Sequence, residues 1–225
     1  MKAMVLSSGG IDSTTCLGVA VEKYGKENVI ALSISYGQKH DKEIMASHAV
    51  AKYYGVEHIH LDLAKIFEYS NCSLLQHSTQ EIPEKSYAEQ LKKADGKPVS
   101  TYVPFRNGLF LASAASLALS KECGVIYYGA HADDAAGSAY PDCSSEFNQA
   151  ISDAIYIGSG NQLKIEAPFV NMTKAEVVKI GLELKVPYEL TWSCYEGKEE
   201  PCGVCGTCID REEAFRLNGV TDPVM

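Results

Sequence analysis

The chain has 225 residues, a formal net charge of −9 and a hydrophobic fraction of 46%. This composition is that of a packed globular protein and excludes a disordered chain, and the negative charge argues against a broad nucleic-acid surface, which needs concentrated Lys and Arg. The sequence predicts neither an apolar leader nor a segment long enough to span a bilayer, so we expect a cytoplasmic protein with no membrane partner. In that reducing compartment the eight cysteines favour metal or redox chemistry over disulfides.

Apolar strands alternate with amphipathic helices along most of the chain. Short runs rich in Val, Ile, Leu and Ala predict strands over 2–6, 29–36, 58–62, 125–130 and 162–167. Helical spacing of apolar residues predicts a first helix that ends near Gly25 and further helices over 41–54, 108–121, 144–156 and 177–184. The helix over 108–121 is apolar nearly all round, and we expect it to be buried. This alternation predicts the α/β class, a parallel open sheet with helices on both faces.

Two stretches break the alternation. Residues 63–100 are polar, with charges clustered over 81–97 and turn residues at 94–98, which is typical of an insert or a lid. Residues 192–208 contain four of the cysteines. We therefore predict a main domain over 1–190, which includes the insert, and a small C-terminal metal-binding region over 191–225.

The stretch SSGGIDSTTC, from Ser7 to Cys16, joins the first predicted strand to the first predicted helix. Ligands bind at the carboxyl ends of parallel strands, where helix N-termini present free N–H groups to anions. Gly9 and Gly10 allow the backbone to approach a phosphate, and we expect Asp12 or Ser13 to cap the helix. Asp12 stands where a Walker A loop has lysine, and the dinucleotide pattern G-x-G-x-x-G is absent. An ordinary capped turn is the alternative interpretation.

The C-terminal cysteines have the spacing C-x7-C-x2-C-x2-C, which lets thiolates converge on one tetrahedral ion; they are Cys194, Cys202, Cys205 and Cys208. Four sulfur ligands leave no open position, so the pattern favours structural Zn²⁺, with an iron–sulfur cluster as the alternative. We interpret the other cysteines, Cys16, Cys72, Cys123 and Cys143, as packing residues. For Cys143 a persulfide carrier is the alternative.

The stretch from Ser8 to Ser13 matches the SGGxDS loop of the N-type ATP pyrophosphatases, the PP-loop superfamily, whose loop binds the β,γ-pyrophosphate of ATP. The motifs SYGQKHDKE, YVPFRN, YPDC and TKAE, followed by the terminal cysteines, occur in the order found in the 7-cyano-7-deazaguanine synthase family. The chain resembles that family from residue 1 to about residue 211. It departs from the family at Phe105, where glycine is frequent, and in the slightly longer segment GAHADDAAGSAYPDC over 129–143.

The resemblance implies an adenine nucleotide alpha hydrolase-like fold and a ligase that uses ATP and ammonia to convert 7-carboxy-7-deazaguanine into 7-cyano-7-deazaguanine. The implied route passes through an adenylate and an amide and releases AMP and pyrophosphate. The resemblance also implies Mg²⁺ with ATP, structural zinc and a homodimer. No glutaminase domain fits in the chain, so we expect free ammonium or a separate donor.

The resemblance implies a role for each motif residue. The ATP-binding residues would be Ser7, Ser8, Gly9, Gly10, Ile11, Asp12, Ser13, Thr14, Thr15, Cys16 and Leu17, with 34–36 beside adenine. The catalytic residues would be Asp12, Arg106, Asp133 and Lys174, and the substrate-binding residues Arg106, Asn107, Asp133, Tyr140 and Asp142. A surface lysine is the alternative for Lys174. The choice of a base among Asp133, Asp134 and Asp142, with His131 beside them, stays open at this point.

Two other functions compete with this interpretation. A PP-loop tRNA thiolase or lysidine-type synthetase predicts a basic face and an RNA-binding domain. The net charge of −9 and the short chain of 225 residues argue against both. A zinc-containing sensor that binds ATP without turnover predicts no product.

Overall fold

The structure, a computed structural model, describes residues 1–94 and 98–225. Its centre is a parallel five-stranded sheet with the order β3-β2-β1-β4-β5. The strands are β1 (Lys2–Leu6), β2 (Val29–Ser35), β3 (Glu57–Asp62), β4 (Cys123–Tyr127) and β5 (Lys164–Glu166). The helices are α1 (Ile11–Tyr24), α2 (Lys42–Tyr54), α3 (Tyr87–Ala94), α4 (Arg106–Ser120), α5 (Ala132–Ala135), α6 (Ser145–Gly158), α7 (Lys174–Glu183) and α8 (Gly206–Leu217).

Helices cover both faces of the sheet, as the sequence predicts. Successive side chains of a strand point to opposite faces, and β1 shows this directly. Ala3 and Val5 pack with Leu17 of α1 and with α7, whereas Met4 packs with Leu111 of α4 on the other face. Because both faces are covered at the centre of the sheet, β1, β2 and β4 are largely apolar, whereas the edge strands β3 and β5 keep exposed polar residues.

The predicted helix over 108–121 forms but is not buried all round. It begins at Arg106, and its buried residues are Gly108, Leu111, Ala114 and Ala118, which lie on one face. Leu119 is 38% exposed. The predicted burial on all sides was wrong, because Ala and Leu are compatible with an exposed helix surface as well as with a core.

The polar insert contributes more structure than the sequence indicates. It contains α3 and a 3-10 helix over Ala64–Tyr69. Phe67 and Leu75 are buried in a cluster that includes Cys194 and Cys208. The insert therefore packs against the C-terminal region, although the predicted turn at 94–98 lies largely outside the described residues.

Helix α8 was not predicted, because the cysteine motif dominates the sequence there. Ala214 and Phe215 of α8 pack against Val178 of α7 and Ile11 of α1. This packing ties the C-terminal region to the main sheet. Within the described residues, none of the helices has both the length and the hydropathy that crossing a membrane requires.

Candidate functional site

A cleft opens at the carboxyl ends of β1, β2 and β4, with a volume of about 210 Å³. Its lining includes Ser7, Ser8 and Gly10 to Ser13 from the glycine loop, and Ile34 and Tyr36 from the end of β2. Five residues predicted to bind ATP are not part of this lining. One is Gly9, and the other four, Thr14, Thr15, Cys16 and Leu17, are buried in α1 against the core. The cleft thus uses the start of the predicted ATP-binding segment.

The glycine loop holds its shape through its own side chains. The backbone N–H of Ser8 donates to Ser13 Oγ (3.1 Å), and Ser13 Oγ donates to the Gly10 carbonyl (3.2 Å). Gly10, not Asp12 or Ser13, is the N-cap of α1, and in the described part of the chain no side-chain hydrogen bond caps this helix. The capping prediction was wrong, and the first-turn N–H groups of α1 are free to face an anion.

Gly9 is required by both conformation and space. Its φ is +86°, and a Cβ built there would lie 2.6 Å from the backbone nitrogen of Ser47 in α2. A side chain at this position is therefore strained and crowded. The backbone of the loop packs directly on the N-terminal half of α2.

Lys174 and Asp12 form a buried ion pair at the edge of the loop. Lys174 Nζ lies 3.1 Å from Asp12 Oδ2, and Lys174 is only 8% exposed, which excludes the surface-lysine alternative. Burial alone would raise the pKa of Asp12, but Lys174 and His131 together hold that pKa well below its usual range. Burial would likewise lower the pKa of Lys174, and Asp12 and Asp134 raise it instead. Both groups are therefore charged at neutral pH.

His131 completes this cluster from the loop after β4. Its Nε2 lies 3.3 Å from Asp134 Oδ2 and 3.6 Å from Asp12 Oδ2. Burial would lower the pKa of His131, whereas the two carboxylates raise it. A buried lysine and a histidine with a raised pKa, next to free helix N–H groups, can bind a polyphosphate.

Two of the predicted acids serve the N-termini of helices. Asp133 Oδ2 accepts a hydrogen bond from the backbone N–H of Lys174 (2.7 Å), and Asp142 Oδ2 accepts one from the backbone N–H of Asn107 (2.8 Å). Burial raises the pKa of Asp142. Tyr140, also predicted to bind substrate, is buried and its hydroxyl pairs with Thr101 (2.6 Å). These three predicted residues lie behind the cleft lining and support the residues that form it.

Arg106 and Asn107, at the start of α4, do line the cleft. Arg106 Nη1 donates to the Tyr36 hydroxyl (3.4 Å), and its guanidinium lies 5.2 Å from the centre of the Tyr36 ring. Phe105, the residue that departs from the family pattern, has φ +54°, which explains the frequency of glycine there. Its ring packs 5.9 Å from the ring of Phe147.

Sequence reasoning missed Glu43 and Gln38, although both lie in the quoted SYGQKHDKE motif. Both line the cleft. Burial raises the pKa of Glu43 to about 7, against the opposing effect of Arg106. Gln38 Oε1 accepts from the backbone N–H of Tyr36 (2.9 Å), while Gln38 Nε2 is buried with no protein partner among the described residues. The signal that could have found them is the density of polar residues directly after β2.

The four C-terminal cysteines converge as predicted. A ligand atom from each of Cys194, Cys202, Cys205 and Cys208 lies within 4.8 Å of every other, so the cluster could hold a metal ion. The backbone N–H of Cys202 faces Cys194 Sγ (3.3 Å), and that of Cys205 faces Cys202 Sγ (3.4 Å). Hydrogen bonds from Cys205 and Cys208 hold the pKa of Cys194 well below its usual range. Convergent sulfurs with N–H donors fit a tetrahedral thiolate site.

The other cysteines are buried, in agreement with a packing role; they are Cys16, Cys72, Cys123 and Cys143. Cys143 is the informative one because it borders the cleft. Burial raises its pKa well above the usual range, and Asn107 Nδ2 donates to its sulfur (3.2 Å). A protonated thiol of this kind is a poor persulfide carrier.

Two solved structures share the fold of this chain. The NMN synthetase from Francisella tularensis is 18% identical with a TM-score of 0.52, over 98% of this chain and 78% of that chain. The U34-tRNA thiolase NcsA from Methanococcus maripaludis is 15% identical with a TM-score of 0.53, over 96% of this chain and 66% of that chain. Together with the SGGxDS loop, this likeness identifies the PP-loop nucleotide-binding fold.

Sequence relatives are much closer. The proteins named 7-cyano-7-deazaguanine synthase from Archaeoglobus fulgidus and Oceanobacillus iheyensis are 43% and 42% identical to this chain. The first match covers 100% of this chain and 90% of the relative, and the second covers 99% and 97%. The family described as Queuosine biosynthesis protein QueC matches residues 2–219. With the motifs, the cleft and the cysteine cluster in their expected places, this chain belongs to the QueC family of queuosine biosynthesis proteins.

Proposed function

We propose that this protein is an ATP-dependent ligase that makes 7-cyano-7-deazaguanine from 7-carboxy-7-deazaguanine and ammonia. The relatives that match the whole chain carry the name of this synthase. The observation that supports it most directly is the convergence of the glycine loop, the free N-terminus of α1 and buried Lys174 at one end of the cleft. These groups suit a polyphosphate whose β,γ part departs as pyrophosphate.

In this proposal the substrate carboxylate attacks the α-phosphorus of ATP, and AMP stays on the acyl group while pyrophosphate leaves. Lys174 offsets the charge that develops on the leaving group, and the α1 N–H groups bind its oxygens. Ammonia then displaces AMP to give the amide, and a second ATP activates the amide oxygen. Loss of the second AMP leaves the nitrile. No step requires a nucleophilic side chain. The protein would therefore accelerate the reaction by positioning the reactants and by stabilising charge on the phosphates.

Arg106 is the proposed partner of the substrate carboxylate. It lines the same cleft as Lys174, and its planar guanidinium can form two parallel hydrogen bonds to a carboxylate. The ammonia step releases a proton, which needs an acceptor near the acyl carbon. Among the described acids, Asp12, Glu43 and Asp134 line the cleft, and Asp12 is already paired with Lys174. Asp133 and Asp142 hold helix N-termini instead. We therefore place the proton acceptor at Glu43 or Asp134.

Mg²⁺ and Zn²⁺ are the proposed metals. Asp12 Oδ1 is buried without a hydrogen-bond partner among the described residues, which fits a carboxylate that would hold Mg²⁺ with the phosphates. Mg²⁺ would supply charge neutralisation at the polyphosphate. The four cysteines would hold Zn²⁺ in a structural role, since no coordination position remains for a substrate. We also expect a cytoplasmic homodimer.

The deciding experiment is mass spectrometry of the product formed from 7-carboxy-7-deazaguanine, ATP and ammonium. The expected outcome is 7-cyano-7-deazaguanine, with AMP and pyrophosphate as the nucleotide products. Nucleotide binding without turnover would support the sensor alternative instead. ADP and orthophosphate as products would overturn the adenylate chemistry.

A further inference from the structure

Trp192 connects the cysteine cluster to the glycine loop. Its backbone N–H donates to the carbonyl of Gly9 (2.9 Å), and its indole Nε1–H donates to the carbonyl of Cys194 (2.8 Å). The same residue therefore bonds the ATP loop of the proposed function and a cysteine of the cluster. Its side chain also lines the cleft.

The segment that begins α2 fixes the indole from a second direction. Lys42 Nζ lies 4.2 Å from the centre of the Trp192 ring and donates to the Glu199 carbonyl (3.0 Å), inside the cysteine loop. A ring nitrogen of His40 lies 3.0 Å from the Cys194 carbonyl, the atom that also accepts from the indole. The Lys42 ammonium over the ring and the hydrogen bond to the Cys194 carbonyl together fix the orientation of the Trp192 indole.

A buried charge pair holds the residues on either side of Trp192. Arg211 lies on α8, three positions after Cys208, and pairs with Asp222 at 2.6 and 2.8 Å. Its Nη1 donates to Thr191 Oγ1 (2.9 Å) and to Ser193 Oγ (3.3 Å). Helix α8, which begins at the cysteine cluster, thus fixes the backbone of 191–193, and this backbone donates the hydrogen bond to Gly9.

We propose that Trp192 is a positioning residue that keeps the glycine loop in its nucleotide-binding shape only while the cysteine cluster is ordered by a metal ion. Four thiolates repel one another at this distance, and a bound metal ion supplies the free energy that keeps them together. When Cys194 moves, its carbonyl releases the indole, and the Gly9 carbonyl loses its partner. A loop whose N–H groups are no longer preorganised binds an anion less tightly. The cysteine cluster is then a determinant of ATP affinity and not of stability alone.

The test measures the affinity of full-length protein for α,β-methylene-ATP, which cannot be cleaved between the α and β phosphates, by calorimetry. Trp192→Phe keeps an aromatic ring under Lys42 but removes the donor to Cys194. We expect unchanged metal content and roughly fivefold weaker binding, which corresponds to the loss of one hydrogen bond. The matched control is Ile155→Val in the core of α6, which lowers stability slightly and should leave the affinity unchanged.

Metal removal separates positioning from direct contact with the nucleotide. Trp192 is the only tryptophan, so its emission reports its environment while a chelator removes the metal from the wild type. We expect the emission to change and the affinity for the analogue to fall over the same range of metal occupancy. Direct contact alone predicts that the affinity does not follow the metal.

The inference rests on the proposed assignment of the loop to ATP, and the arms of the experiment distinguish the two failures. Wild-type protein that does not bind the analogue overturns the ATP assignment, and this inference with it. Wild-type binding that Trp192→Phe and metal removal leave unchanged overturns only the positioning role. An affinity that falls equally in Ile155→Val also overturns it, because the effect would then be general loosening.

Discussion

Lys174 and Asp12, 3.1 Å apart, are the residues on which catalysis should depend most. Lys174→Gln removes the buried cation that would offset charge on the leaving pyrophosphate. We expect kcat for AMP release to fall about 10²- to 10³-fold, the usual cost of one preorganised charge-stabilising group. Lys179→Gln, on the exposed side of the same helix, is the matched control and should keep wild-type turnover. Equal rates in both variants would remove Lys174 from the mechanism.

Glu43 predicts a dependence of stability on pH. Its pKa is raised from 4.5 to about 7 in the folded state, so stability is lost as the pH rises from the lower value through the higher one. In the Glu43→Gln variant the carboxyl is replaced by an amide, which does not ionise in this pH range. The variant should therefore be more stable than the wild type by on the order of 3 kcal/mol at pH ~8, and by much less at pH ~5.

Urea unfolding of both proteins at the two pH values measures this difference. Glu212→Gln, which removes the same charge from an exposed position of α8, is the control. A stability difference between Glu43→Gln and wild type that is constant with pH would show that Glu43 is not desolvated.

The sequence predicted which residues belong to the site better than it predicted their burial and contacts. The loop residues from Ser8 to Ser13 follow a local pattern, and their position after a strand was predictable. From the sequence, Lys174 could lie on the surface or in the site, because its burial depends on contacts with Asp12 of α1 and His131 after β4. The same holds for Asp133, whose carboxylate bonds the backbone of a residue 41 positions later. Such long-range contacts leave no periodic trace in a single sequence.

At the scale of elements, the loop between β1 and α1 depends on Gly9. Gly9→Ala forces a left-handed backbone on alanine and pushes a Cβ against α2. We expect a loss of roughly 2–5 kcal/mol in the free energy of unfolding and a loss of nucleotide binding. Gly219→Ala isolates the backbone contribution, because Gly219 has φ +71° but open space around it. It should cost only about 1–2 kcal/mol and leave binding intact. Equal losses in both variants would contradict the crowding argument.

With a metal ion bound, the cysteine cluster should add to the packing of α8 in stabilising the C-terminal region. Purified protein should contain about one Zn²⁺ per chain, and Cys205→Ser should lose it together with several kcal/mol of stability. Elemental analysis and thermal unfolding measure both effects. Cys72→Ser, a buried cysteine of the same hydrophobic cluster, should keep its zinc. Iron with acid-labile sulfide in place of zinc would contradict the assignment.

The elements themselves were predictable to different degrees for physical reasons. The central strands β1, β2 and β4 are short, largely apolar runs, which made them predictable. The edge strands β3 and β5 were also predicted, although both keep exposed residues. The structure shortens β5 to 164–166 and shifts β4 to 123–127. Helix α8 did not appear because only one side of it is buried, through residues such as Ala214 and Phe215, and its average hydropathy is low. The metal site was predicted from the spacing of the cysteines before α8, and this prediction did not require the helix to be recognised.

At the scale of the whole molecule, the sheet order explains why distant motifs meet. The central strand β1 carries the glycine loop, and its neighbours β2 and β4 end beside it. The SYGQKHDKE motif follows β2, and the loop with His131 and Asp134 follows β4. Parallel strands therefore deliver three separate motifs to one edge, and the C-terminal region closes that edge through Trp192.

Because the three motifs meet in one cleft, we predict that the amide intermediate is converted into the nitrile in the same cleft in which it forms. A nitrile needs two activations by ATP, yet the sequence contains a single SGGxDS loop. An amide oxygen is a weaker nucleophile than a carboxylate, so the second activation relies more on alignment at the α-phosphorus. Supplied with 7-amido-7-deazaguanine and ATP but no ammonium, the protein should form the nitrile and AMP. Arg106→Ala should slow both the amide and the carboxylate reaction by at least about tenfold if one guanidinium stabilises both transition states, and Arg106→Lys should recover part of each rate. An amide that stays inert while the carboxylate still yields nitrile would mean that the two activations do not share this cleft.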